Sequence, residues 1–144
     1  MYTYPLPKRI MQAPGLLTIV HEFNSNYRQV FIDGRPLPVD PNPSWLGYSS
    51  GVWDADTLVV RTIGFRDGLW ADTRGNPLTD AATITERIRR PNFGTLMVEV
   101  TVDDPKAYTA PWTVTITQGL KADTDLLEYI CMENEKDLEH LPAR

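Results

Sequence analysis

The sequence predicts an all-β domain: an antiparallel up-and-down β-barrel of about eight strands, lipocalin-like, with long loops and a short C-terminal helix. Three observations predict it. Nearly every patterned segment alternates with period two, which gives a strand one apolar face. These segments are short, rich in β-branched and aromatic residues, and bounded by Gly, Pro, Asn and Asp. The chain has 144 residues, 42% hydrophobic and 23% charged, which suits one domain with one core. A sheet closed on itself satisfies the alternation and removes the strand edges. A β-sandwich satisfies the same alternation and stands as the alternative.

The elements follow in order. Residues 1–14 read as an extended Pro-rich segment, because proline cannot supply a ladder N–H. GLLTIVHEF puts Leu17, Ile19, His21 and Phe23 on one face, and after an Asn-Ser-Asn turn YRQVFID completes a hairpin. The stretch RPLPVDPNPSWLG is a long ordered loop, anchored by Trp45 and Leu46. YSSGVWD and TLVVRT flank a tight turn at Asp54-Ala55-Asp56. Residues 66–81 form a second long loop with one buried-type residue, Trp70. TITERIRR turns at Pro91–Gly94 into TLMVEVTVDD, then PWTVTITQGL and LLEYICMEN supply two more strands. Residues 135–141 read as a short helix with Asn134 as its N-cap.

A net charge of −5 argues against nucleic acid as a partner, since phosphate binding needs clustered positive charge. Arg87, Arg89 and Arg90 form the one dense basic run and read as a solvated strand face, with an anion site as the lesser alternative. Cys131 is alone, so no intramolecular disulfide forms. No run approaches the ~20 apolar residues of a spanning helix. MYTYPLPKRI lacks the apolar stretch and cleavage site of a signal peptide.

The stretches RQVFIDGRPLPVDPNPSWLGYSSGVWDADTLVV, TIGFRDGLWAD, TERIRR, VTVDDPKAYTAPWTVT and LLEYICMENEKD resemble a large group of uncharacterised bacterial proteins, common in acidobacteria and other soil bacteria. The likeness runs from about Pro7 to His140. It implies a periplasmic or secreted setting, because relatives usually begin with a signal peptide and a further N-terminal segment; a cytoplasmic one stays open. It implies no activity. Relatives often carry histidines in a loop like GHPHS, where this chain has GNPLT and so lacks the side chains that a histidine-based metal or acid–base role there would use. Gly51 and Trp53 also resemble the short G-x-W signature of lipocalin-like (calycin) barrels.

Glu86 is the first chemical candidate. It lies between Ile84 and Ile88 on an apolar strand face, where an isolated charge is too costly to bury. An ion pair with Arg28, on the face of Val30 and Ile32, answers that cost; a pocket would instead raise its pKa and make it an acid or base. His21, on an apolar face, is either a core residue or a proton-transfer group. Asp72 is either a turn cap or a base, and its neighbour Trp70 either plugs the barrel end or walls a pocket. Tyr48 and Tyr129 are core aromatics or hydroxyls aimed into a cavity.

No Walker loop, GxGxxG, CxxC, HExxH or GxSxG is present, so no cofactor and no metal site are expected. The expected ligand is a small, largely apolar organic molecule. As a cofactor-free acid–base enzyme (isomerase, cyclase, lyase or hydrolase), the protein would use Glu86, His21, Asp72 and Tyr48 as catalytic groups. Arg28, Phe31, Trp53, Trp70 and Tyr129 would bind the substrate. A non-catalytic ligand carrier and a protein-assembly module are the other readings, and a homodimer is compatible with each. A carrier needs its carboxylates paired; an enzyme needs one unpaired and aimed into the cavity.

Overall fold

The computed structural model describes residues 6–130 and 136. It is all-β, and among the described residues there is no helix. Eight strands form one sheet: β1 (Lys8–Ala13), β2 (Leu16–His21), β3 (Tyr27–Phe31), β4 (Tyr48–Asp54), β5 (Thr57–Ile63), β8 (Thr83–Asn92), β9 (Thr95–Asp103) and β10 (Trp112–Gly119). A separate two-stranded sheet, β6 (Leu69–Trp70) and β7 (Pro77–Leu78), occupies the second long loop.

The order in the large sheet is β1-β2-β3-β4-β5-β8-β9-β10. Sequential antiparallel pairing dominates, with one departure from the expected up-and-down course. β3 and β4 run parallel, with Val30 opposite Ser49 and Phe31 opposite Ser50. The proline-rich loop between them causes this, because it carries the chain back to the end from which β3 began. That loop is held by backbone: the Ser44 N–H donates to Gly64 O at 3.0 Å and the Arg66 N–H to Ser44 O at 3.0 Å. Trp45 is mostly exposed, beneath the Arg66 guanidinium at 5.0 Å. Gly47 ends the loop at φ +66°, where a Cβ would stand 2.7 Å from the Ile63 carbonyl oxygen; only glycine fits.

The N-terminal segment contributes more than its prolines suggest. Between Pro7 and Pro14 the run KRIMQA pairs with β2 along its full length, Lys8 opposite His21 and Ala13 opposite Leu16. The expected last strand does not form a ladder over 126–130; a single parallel bridge joins Tyr129 to Phe23. The rest of that segment, 131–134, and the helix expected over 135–141, residue 136 apart, lie outside the described residues.

The sheet curls into a half-barrel. Its inner face follows from alternation. Leu17, Ile19, Val30, Leu58 and Val60 form one buried cluster, and Ile84, Val98, Val100 and Val102 join Phe65, Leu78 and Ala82 in another. Residues 120–130 then run as a strap from the end of β10 to the β2–β3 turn. Arg9 pairs with Asp125 at 2.7 Å, the Leu127 N–H donates to Glu22 Oε2 at 3.0 Å, and the Tyr129 and Phe23 rings lie 5.9 Å apart.

Candidate functional site

A buried polar network crosses the inner face. Arg28 Nη1 donates to Glu86 Oε1 at 2.9 Å, and Nη2 donates to Glu86 Oε2. Nε donates to Ser49 Oγ at 3.0 Å and Nη2 also to Thr62 Oγ1 at 2.7 Å, while the two hydroxyls share a bond of 2.9 Å. All four residues are buried, Glu86 completely. Arg28 on β3 and Glu86 on β8 stand three strand spacings apart in the order, about 14 Å along a flat sheet. Curling is what lets the side chains meet, so the pair is a chord across the half-barrel.

One end of this face is polar. Lys8 on β1 lies opposite His21 on β2, and the two line a pocket of about 150 Å³ with Leu6, Pro7, Phe23, Asn26 and Leu46. Burial lowers the Lys8 pKa to about 8, with Glu86 pulling against it. Burial, followed by the positive charges of Lys8 and Arg28, lowers His21 to about 4. His21 is therefore neutral at pH 7, and its Nε2 is buried with no hydrogen-bond partner among the described residues.

The open side of the half-barrel holds a wider cleft of about 790 Å³. Ile10, Leu17, Ile19, Leu58, Ile88, Leu96 and Ile116 make its apolar walls, and Trp53 stands among its lining. Ile10 of β1 and Ile116 of β10 come from the two outermost strands of the order, brought to one cleft by the curl and spanned by the strap.

The residues singled out from the sequence fall into groups. Glu86, Arg28 and His21 come together on the inner face. Trp53 lines the wide cleft, and Tyr129 sits on the strap against Phe23. Tyr48 and Phe31 alternate with the buried Ser49 and Val30, so they occupy the outer face; the Arg35 guanidinium covers Phe31 at 4.0 Å. Trp70 is largely exposed on the small sheet. Asp72 caps its own loop, accepting from the Arg74 N–H at 2.9 Å and from Asn76 Nδ2 at 2.6 Å; the Asn76 contact leads in holding its pKa down. Leu69, Ala71 and Leu78, not Trp70, pack this second loop against the core.

Three inner residues escaped the sequence reading. Thr62 continues the alternation of Leu58 and Val60, and Ser49 alternates with Tyr48, so a strict face count finds both. Lys8 was hidden by flanking prolines. Asp104, whose position reads as a plain turn, is buried and accepts from the Thr79 N–H at 2.7 Å and the Thr79 hydroxyl at 2.8 Å. Burial pushes its pKa up, but these bonds with the Lys106 N–H bring the net shift downward.

Among the described residues no cluster of three or more His, Cys, Asp and Glu is placed to hold a metal ion, and no helix is long and apolar enough to cross a membrane. Compared with known proteins, the chain matches no family model, no curated protein and no solved structure.

Proposed function

We propose that the half-barrel is a lipocalin-like binding barrel that carries a small, largely apolar organic molecule in its open cleft. The observation that carries this is the cleft itself: about 790 Å³, walled by aliphatic side chains, with the aromatic rings of Trp53 and Phe93. That volume lies in the usual range for a ligand site. The pairing of Glu86 favours a carrier over a catalyst. A carboxylate held bidentately by a guanidinium has its lone pairs committed, and taking a proton would leave Arg28 a buried uncompensated cation. The resemblance to exported bacterial proteins goes with an extracytoplasmic setting for such a carrier.

A second reading rests on the small pocket. His21 is neutral, with a buried nitrogen that has no hydrogen-bond partner among the described residues, and Lys8 faces it with a lowered pKa. That pair could move a proton on a small substrate, as an acid–base enzyme needs.

The test is titration with a neutral fluorescent hydrophobe, phenylnaphthylamine. The parent binds it saturably. Ile116→Arg, which places a charge in the cleft wall, abolishes binding while circular dichroism stays that of the parent. Absence of saturable binding to the parent, or undiminished binding to the variant, refutes the proposal.

A further inference from the structure

The charge of the cleft is opposite to that of the chain. Its lining holds four cationic side chains, Lys8, Arg9, Arg90 and Lys121, against two carboxylates, Asp56 and Asp125. The whole chain has 14 Lys and Arg against 19 Asp and Glu. Of the four cations, Arg9 is neutralised by Asp125. Lys8 lies at the far end, opposite His21. Arg90 and Lys121 remain, and neither forms an ion pair with a carboxylate among the described residues.

These two stand at the same end of the cleft. Arg90 enters the β8–β9 turn, where its Nε and Nη2 donate to Phe93 O at 3.2 and 2.5 Å and its guanidinium lies 5.0 Å from the Phe93 ring. Lys121 follows β10, whose last residue pairs with Thr95, and the Leu120 N–H donates to Gly94 O at 2.8 Å. One backbone bond thus ties the two cation-bearing segments together. Below them run Ile88, Leu96 and Ile116. Along β1 the lining from Lys8 to Gln12 extends about 13 Å. The result is an elongated trough with aliphatic walls, holding two cations, Arg90 and Lys121, beside the Asp56 carboxylate at one end and Lys8 at the other.

We propose that the cleft takes a single-chain amphiphile with a carboxylate head, its tail along Ile88, Leu96 and Ile116 and its head between Arg90 and Lys121. This rests on the ligand-binding reading above and adds the polarity and orientation of the ligand. The tail supplies affinity by leaving water, and the two cations select the sign of the head.

The test compares three chains of equal length by titration calorimetry at low salt, all below their micellar concentrations: dodecanoate, dodecanol and dodecyltrimethylammonium. Dodecanoate should bind on the order of tenfold tighter than dodecanol, with the cation weakest, and added salt should narrow the gap. The double variant Arg90→Gln with Lys121→Gln should lose the preference and keep the dodecanol affinity. Lys121→Glu alone, which leaves the Arg90–Phe93 turn intact, should move the preference toward the cation. Equal binding of dodecanoate and dodecanol, or a preference that survives both variants, overturns this inference and leaves the binding cleft standing. Failure of all three chains to bind removes the cleft as a ligand site, and this inference with it.

Discussion

Replacing Glu86 by Gln tests the central network. The side chains of Glu86 and Arg28 are 0% and 1% exposed, so the substitution removes one charge from a pair that water cannot reach. Gln keeps the shape and one acceptor oxygen. It turns the other oxygen into an amide that meets Arg28 Nη2 donor to donor. The loss is a charge-assisted bond, about 1.5–3 kcal/mol, and the guanidinium is left as a buried unbalanced cation. Removal of one partner from such pairs costs about 3–5 kcal/mol. A domain of this size has roughly 5–15 kcal/mol of stability in all, so the effect is a large share of the total. At a urea dependence of about 1–3 kcal/mol per molar, the unfolding midpoint falls by roughly 2 M. Urea unfolding followed by tryptophan fluorescence at pH 7 reads this directly. The paired variant Arg28→Met with Glu86→Leu should recover most of the loss, because it removes both charges together. A Glu86→Gln protein as stable as the parent would refute the reasoning: the charge of Glu86 would then not be balanced by Arg28.

Two further outcomes follow from the same geometry. His21 titrates near pH 4 in the folded chain against an ordinary 6.5, so between those values the unfolded chain binds more protons. Its contribution is complete above pH 6.5 and is lost as the pH falls toward 4. The ring is partly exposed, which limits the effect to about 1–2 kcal/mol; the parent's stability profile minus that of His21→Asn should slope across this window, and a flat difference would refute it. Gly47→Ala meets both a left-handed φ and the Ile63 carbonyl at 2.7 Å, and should cost more than about 2 kcal/mol in thermal unfolding. Gly75→Ala, with φ +84° and open space around it, should cost only about 1 kcal/mol; equal losses at the two positions would contradict the steric argument.

The strands were legible because alternation is a local property. In TITERIRR the spacing alone puts Glu86 on the face of Ile84 and Ile88, and the cost of an isolated buried charge is enough to demand a cation. Arg28 answers that demand from β3, and its own alternation with Val30 marks it as an inward residue. Proline-based reasoning failed at KRIMQA, because Pro7 and Pro14 flank a run that contains no proline and is free to pair. The second long loop was misjudged at Trp70, since size and hydrophobicity do not say which side of a short hairpin faces water.

By itself, the sequence determined which residues share a face, and with it the all-β class, the inward carboxylate and the kind of partner it needs. Only the tertiary structure decided that β3 and β4 run parallel and that a curl brings β3 within reach of β8. It also decided that Lys8 faces His21 and that the ends of the sheet enclose a cleft. The physical reason is that pairing order and curvature are set by the whole sheet. A strand's alternation says which side is apolar, and says nothing of which strand lies beside it or how far the sheet bends.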